Sequence, residues 1–96
     1  IVAELRAFLR VHDHDARGWY LMGNLYMHEN NYVEASKAFS NAVKNDDKKI
    51  IYQVAYAEAA FFAEDRNLSP ATRKMLLQVL DQDANNVAAM NLLAID

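Results

Sequence analysis

Hydrophobic residues in the first half of the chain recur at intervals of three and four, the period of one face of an α-helix. The first such helix carries this spacing at Trp19, Met22 and Tyr26. A second helix carries it, after a short polar segment, at Ala35, Phe39 and Ala42. The pattern therefore predicts two helices joined by a turn, each with one apolar face.

Clusters of Asn and Asp interrupt this pattern along the whole chain. Their side chains bond to nearby backbone and cap helix starts, so they mark turns. The clearest boundary is Ser69-Pro70, with the serine as N-cap and the proline at the first helical position. Between these signals we predict six helices, at about residues 2–12, 16–29, 32–45, 49–64, 70–82 and 87–95.

Gly23 lies within the first amphipathic helix, where a glycine costs about 0.5–1 kcal/mol relative to alanine. That cost indicates that no side chain fits at this position. We infer that the partner helix lies close against Gly23. The large rings of Trp19, Tyr26 and Phe39 would then fill the space around the contact.

The composition excludes several classes of protein. The chain has 96 residues with two glycines and one proline, which favours one helical domain over an all-β fold. It has no cysteine, which excludes disulfides and covalent haem attachment through C-x-x-C-H. A net charge of −3 argues against binding to nucleic acid. Neither a membrane-spanning apolar run nor a targeting peptide is visible.

The combined spacing, W-x2-M-G-x2-Y and then A-x3-F-x2-A, resembles the tetratricopeptide repeat (TPR), with Met22 in the usual leucine place. The resemblance implies an all-α fold, a TPR-type α-solenoid of antiparallel helix hairpins that binds other proteins. We expect a single domain over 1–96. Its parts would be the closing helix of a preceding unit (1–14), two repeats (16–49 and 50–86, the second with a longer turn) and the first helix of a third repeat (87–96).

The resemblance also implies a binding groove. The first helix of each repeat lines the concave face, with ligand-facing positions at i, i+3, i+7 and i+10. The predicted peptide-binding residues are Arg17, Tyr20, Asn24, Met27, Ile51, Val54, Glu58, Phe61, Asn91 and Ile95, with Ala88 beside them. Burying one of the apolar members under a ligand is worth about 1.5–3 kcal/mol, so the surface suits an amphipathic helix. The alternative is that these side chains pack within the chain.

Two other kinds of site are disfavoured. Chaperone adaptors of the TPR family hold a C-terminal carboxylate with a clamp of lysines, arginine and asparagines. Asn24 fits one clamp position, but Tyr20, Ala88 and Leu92 stand at the basic positions here. The run from His12 to Asp15 has the residue types of a metal site, but it falls in a turn and its alternate residues do not share a helix face. We predict no metal, no cofactor and no catalytic residue, and hence no enzyme.

A narrower resemblance lies in the second half of the chain. It is carried by Tyr56-Ala57-Glu58-Ala59, Leu68-Ser69-Pro70 and Ala89-Met90-x-Leu92-Leu93. With the first repeat, these segments resemble the periplasmic TPR subunit of bacterial cytochrome c maturation and a related protein that assists assembly of the formate-dependent nitrite reductase. The chain departs from that family where Arg66-Asn67 replaces a glycine-rich turn, and where Ala84 and Val87 replace common prolines.

This resemblance implies a function and a location. The domain would hold an apocytochrome c by its C-terminal helix and present it to the haem lyase subunits. It would work in the periplasm, tethered to the inner membrane by a segment that this sequence does not show. Two alternatives stay open. One is a general TPR adaptor for another protein. The other is a structural segment that self-associates through its open C-terminal end, where Leu92, Leu93 and Ile95 lie.

Overall fold

The computed structural model describes residues 2–95, and within them it contains six α-helices and no β-strand. The helices are α1 Val2–Val11, α2 Ala16–His28, α3 Tyr32–Asn45, α4 Ile50–Ala63, α5 Pro70–Gln82 and α6 Val87–Ile95. Every predicted boundary lies within one residue of the observed one. The prediction of an all-helical fold with six helices is therefore confirmed.

The helices form a stack two layers thick. Each helix packs on the next one along the chain, and α4 also contacts α6. The smallest dimension of the molecule is 19 Å, against 37 Å for the longest. A thickness of that size corresponds to two packed helices, each about 10 Å across. The arrangement is that of a TPR-type helical solenoid, while the repeat boundaries at residues 16–49 and 50–86 stay a prediction.

The core is divided into clusters along the stack, as expected when each helix pair contacts its neighbours alone. Leu9, Met22 and Ala38 form the first cluster, between α1, α2 and α3. Ala35, Phe39 and Ala59 form the second, between α3 and α4. The third and largest joins α4, α5 and α6, and its buried members are Ala57, Phe61, Leu68, Leu76, Val79, Ala89 and Leu92.

Gly23 lies where α2 crosses α3, as predicted. A Cβ atom at this position would come within 2.8 Å of three carbons of the Phe39 ring. Phe39 is itself buried, with a relative exposure of 1%. The equivalent place in the next pair is Ala57, which lies in the same buried cluster as Leu76. The close approach of the two helices explains why glycine stands at this helical position.

Polar side chains cap three of the helices. The acceptor oxygens of Asp15, Ser69 and Asn86 each receive a hydrogen bond from the backbone N–H three residues later, over 3.0–3.1 Å. Pro70 stands at the start of α5, so the predicted Ser69-Pro70 boundary is confirmed. These bonds satisfy N–H groups that have no partner within the helix.

The turn between α4 and α5 has an uncommon backbone. Asp65 and Arg66 adopt positive φ angles of 56° and 63°, a left-handed conformation that non-glycine residues seldom occupy. The Arg66 N–H donates to the Phe61 carbonyl over 2.8 Å, which closes the end of α4. The extra length of this turn then allows Leu68 to enter the core cluster that contains Phe61.

Candidate peptide-binding groove

A shallow cavity of about 230 Å³ lies between the first helices of the two successive pairs, α2 and α4. Six of the ten predicted binding residues line it: Tyr20, Asn24, Met27, Ile51, Val54 and Glu58. Three come from each helix, because spacings of three and four residues put them on one helical face. We call this cavity and the exposed residues around it the α2–α4 groove.

The floor of the α2–α4 groove contains two residues that the sequence did not assign to it, Phe39 and Ala55. The Tyr20 ring lies 5.8 Å from the Phe39 ring and 5.1 Å from the Tyr52 ring, measured between centroids. Aromatic pairs at these separations attract one another beyond the effect of burial alone. The floor of the groove is therefore aromatic, and the Tyr20 ring is held on two sides.

Phe61 was predicted to face the ligand, and that prediction is wrong. Its side chain is 2% exposed and belongs to the core cluster of α4, α5 and α6. The i+10 position faces the groove in α2, where Met27 lines the cavity. In α4 the same position is covered, because Leu68 of the longer turn and the α5 side chains pack in the same cluster. For Phe61, the alternative that the side chain packs within the chain is therefore the correct one.

The remaining predicted residues lie at the margins. Arg17 is exposed at the start of α2 and does not line the cavity. Ala88, Asn91 and Ile95 are exposed on α6, with Ile95 at 64%, but they too lie outside the cavity. Their role in binding stays a prediction, and it applies to a ligand long enough to extend from α2 to α6.

Two polar side chains interrupt the apolar lining of the α2–α4 groove. Asn24 on α2 is exposed, and Glu58 on α4 is half-buried. Among residues 2–95, Glu58 is the one Asp, Glu, Lys, Arg or His that lines the cavity, and no hydrogen bond or ion pair to its carboxylate is formed there. The groove thus combines apolar side chains from both helices with one carboxylate that has no partner within residues 2–95.

Two larger cavities lie at the other end of the stack. One of about 680 Å³ opens between α1 and α2 beside Leu5, Phe8, Leu21 and Leu25. The next helix pair lies one repeat, or 34 residues, further along the chain. At the positions equivalent to Phe8 and Leu21 it has Ala42 and Ala55. Ala55 packs against the cluster of Ala35, Phe39 and Ala59, and it lines the α2–α4 groove. No helix within residues 2–95 covers the equivalent surface of α1 and α2, which leaves Phe8 and Leu21 exposed.

The other large cavity, of about 480 Å³, lies between α1, α2 and α3 around Trp19. The Trp19 indole N–H donates to the Asp13 carbonyl over 2.8 Å, and the Arg6 guanidinium donates to the Tyr26 hydroxyl over 2.6 Å. These bonds engage the indole N–H of Trp19 and the hydroxyl of Tyr26, while Arg10, Glu34, Lys37 and Asn41 add further polar groups to the lining. The cavity contains none of the predicted binding residues.

The segment from His12 to Asp15 forms the turn between α1 and α2. A ring nitrogen of His14 lies 3.3 Å from the side-chain oxygen of Asn45, and Asp15 caps α2. Over residues 2–95, no group of three or more His, Asp or Glu side chains is arranged to hold a metal ion. None of the helices in that range is long and apolar enough to cross a membrane.

Comparison with known proteins shows which family the chain belongs to. Residues 2–96 match the model of the cytochrome c-type biogenesis protein H TPR domain. The chain is 26% identical over 97 residues to the formate-dependent nitrite reductase complex subunit NrfG of Escherichia coli O157:H7, covering 98% of this chain and 49% of that protein. It is 28% identical over 90 residues to the putative cytochrome c-type biogenesis protein CcmH of Haemophilus influenzae, covering 94% of this chain and 20% of that protein.

A third relative is the Haemophilus influenzae formate-dependent nitrite reductase complex bifunctional subunit NrfFG. It is 27% identical over 94 residues, which are 98% of this chain and 24% of that protein. The chain spans half or less of the length of each of these relatives. The similarity thus extends over a part of each longer protein. Since the family model covers nearly every residue, the chain belongs to the family of the cytochrome c-type biogenesis protein H TPR domain.

Proposed function

We propose that this domain is a non-catalytic scaffold of cytochrome c maturation that holds an apocytochrome c by its C-terminal helix. The observation that carries the proposal is the α2–α4 groove, where Tyr20, Met27, Ile51 and Val54 form a mostly apolar surface beside two polar side chains. An amphipathic helix binds such a groove by its apolar face. Family membership supports the choice of a cytochrome as the partner.

The proposed location and the neighbouring proteins follow from the same resemblance. We propose a periplasmic location near the inner membrane, with haem lyase subunits as neighbours that receive the held apocytochrome. The domain would contribute binding and no chemistry. The Ser69 hydroxyl, for example, is occupied as the cap of α5, and the Ser36 hydroxyl donates to the Val33 carbonyl over 2.8 Å.

Isothermal titration with a synthetic apocytochrome c C-terminal helix tests this proposal. The control is a scrambled peptide of the same composition. Saturable binding of the first peptide and weaker binding of the second would support the cytochrome assignment. Equal, weak binding of both would overturn it and favour a general TPR adaptor for another protein.

The groove itself is tested by Ile51→Glu. Ile51 lines the α2–α4 groove and is 52% exposed, so a charge there leaves folding intact but opposes an apolar ligand. Loss of roughly 1.5–3 kcal/mol of burial predicts that the dissociation constant for the cytochrome helix rises at least tenfold. Titration measures the affinity, and thermal unfolding by circular dichroism measures stability.

The matched control for Ile51→Glu is Leu77→Glu. Leu77 has almost the same exposure, 53%, but lies on α5, outside the cavity. We expect this variant to bind the peptide as the wild type does. If both variants lost affinity equally, net charge would explain the effect and the groove would not be the binding surface.

Self-association is a second candidate function, favoured by the apolar surface of α6. Val87, Met90 and Ile95 are all exposed there, at 42% or more. Val87 and Met90, three positions apart, share one face of the helix, and exposed apolar patches are a common feature of protein interfaces. We predict that sedimentation velocity detects a concentration-dependent dimer, and that Met90→Glu returns it to a monomer. A wild-type chain that stays monomeric at millimolar concentration would exclude this function.

A further inference from the structure

We propose that the α2–α4 groove receives a lysine or arginine side chain from the apolar face of the bound helix, with Glu58 as its counter-ion. The inference rests on the proposed function and deepens it, because it names a chemical feature that the ligand must carry. The observation behind it is the single carboxylate of Glu58, which lines the cavity together with apolar side chains, the Tyr20 ring and the Asn24 amide.

The first step concerns the cost of covering Glu58. Its side chain is half-buried in the free protein, and it forms no hydrogen bond or ion pair within residues 2–95. A ligand helix with a purely apolar face would remove the remaining water from this carboxylate and give nothing in return. Burying a charge without a partner is far more costly than burying a paired one. The groove therefore discriminates against ligands that have no cation at this point.

The second step concerns the fit of a basic side chain. Lysine and arginine have long apolar stems that lie along apolar surface while the charged head reaches a polar partner. Ile51 and Val54 precede Glu58 by two turns and one turn of α4, so they lead from the rim of the cavity towards the carboxylate. Asn24, on the facing helix, offers a side-chain carbonyl as a second acceptor.

The third step concerns Tyr20, which lines the same cavity. Its ring is held by contacts with Phe39 and Tyr52, at centroid separations of 5.8 and 5.1 Å. A cation over a tyrosine ring within about 6 Å is stabilised by the ring's electron density. The chain already contains such a pair, because the Lys49 ammonium lies 5.9 Å from the Tyr52 ring centroid.

No basic side chain within residues 2–95 lines the cavity, so none of them fills the proposed place. Arg17 and Lys49 are the basic residues at the starts of α2 and α4, and neither lines the cavity. Lys49 is engaged with Tyr52 instead. Since Glu58 precedes the end of α4 by about one and a half turns, it lies too far along the helix for residues at the start to reach. A cation from the ligand is thus the available partner.

The ligand is defined by this geometry as an amphipathic helix with one basic residue among apolar residues at i±3 and i±4. Such a residue would be unfavourable in most apolar interfaces, so it also sets the register of the helix in the groove. Specificity then comes from both a new attraction and a penalty on ligands that lack the charge.

Two pairs of synthetic peptides test the inference. The first pair is the apocytochrome c C-terminal helix with either lysine or norleucine at one central position of its apolar face. The second pair is a leucine–alanine host helix of the same length with the same exchange. Norleucine keeps the length of the stem and removes the charge. Each peptide is titrated into the wild type, Glu58→Gln and Glu64→Gln. Glu64 is an exposed residue that directly follows α4 and lies outside the cavity.

We expect the wild type and Glu64→Gln to bind the lysine peptides about tenfold more tightly than the norleucine peptides. Glu58→Gln should bind both forms equally, because the amide is neutral and needs no counter-ion. Cytochrome peptides that bind the wild type equally with lysine or norleucine would overturn this inference and leave the proposed function standing. Host peptides that show the Glu58-dependent preference, with no binding of either cytochrome peptide, would overturn the proposed function and support the inference. Failure of all four peptides to bind would overturn both.

Discussion

Replacing Phe61 with alanine is expected to lower the free energy of unfolding by about 3–5 kcal/mol, the range for truncating a buried aromatic ring. Phe61 is 2% exposed and lies in the largest core cluster, with Leu68, Leu76 and Val79. The cluster joins the last three helices, so the cavity left by the ring would loosen α5 and α6 together. Urea unfolding followed by circular dichroism measures the change, as a lower midpoint at constant slope.

Phe62→Ala is the matched control, because it removes the same ring from the next position of α4. Phe62 is half-buried, and its ring stacks on Tyr32 at 5.1 Å and lies 5.9 Å from the Arg66 guanidinium carbon. We expect a loss clearly smaller than that of Phe61→Ala, because less of the ring is removed from water. If Phe61→Ala kept its stability and instead lost affinity for the cytochrome helix, Phe61 would belong to the groove after all.

The contrast between Phe61 and Met27 shows which part of the groove the sequence pattern could predict and which part it could not. Spacings of three and four residues predict that Tyr20, Asn24, Ile51, Val54 and Glu58 share a face of their helices, and all five line one cavity. Arg17, the first position of the series in α2, lies outside that cavity. The fourth position depends on the length of the turn after the helix. After α2 the turn is short, and Met27 stays in the groove; after α4 it is longer, and Leu68 packs in the cluster of Phe61.

The aromatic floor of the groove was missed for a similar reason. Phe39 was predicted, together with Trp19 and Tyr26, to fill the space around the close contact at Gly23, and its ring lies against that glycine. Its ring also reaches the α2–α4 groove, where it contacts Tyr20. Because glycine allows the ring to approach so closely, one side chain serves both the helix crossing and the binding surface. A periodicity argument assigns each residue to one face and does not detect such a shared role.

The turn at Asp65 and Arg66 limits sequence prediction in another way. The helix boundaries on both sides were predicted, but nothing in the sequence marks Arg66 as a residue with φ of 63°. Aspartate enters the left-handed region several times more often than most residues, whereas arginine has no such preference. The conformation is imposed by the hydrogen bond from Arg66 to Phe61 and by the burial of Leu68. Tertiary contacts therefore decide the backbone here.

Replacing Gly23 with leucine is expected to lower the free energy of unfolding by about 1–3 kcal/mol, the usual cost of overpacking a core. Even the first added atom would lie within 2.8 Å of three carbons of the Phe39 ring. That ring is buried and confined by the neighbouring helix, so relief requires α2 and α3 to separate. The gain in helix propensity from removing glycine, up to about 1 kcal/mol, offsets part of this cost.

A matched control separates these two effects within one helix. At Gly18 an added Cβ would meet the Cδ2 atom of Leu9 at 2.9 Å, which is the far end of a side chain of α1. Gly18→Ala and Gly23→Ala make the same chemical change in α2, but they differ in the atoms that the new Cβ meets. We expect Gly18→Ala to be nearly neutral and Gly23→Ala to be destabilising in urea unfolding.

A second-site change identifies the cause of the Gly23 effect. Phe39→Leu removes the ring that the new Cβ would strike and leaves an aliphatic side chain, the type found at Leu76 opposite Ala57 in the next pair. If the clash is the cause, the double variant Gly23→Ala, Phe39→Leu will be more stable than the sum of the single changes predicts, by about 0.5 kcal/mol or more. Strict additivity would mean that the ring does not restrict position 23. Glycine would then have to be explained by the backbone of α2 alone.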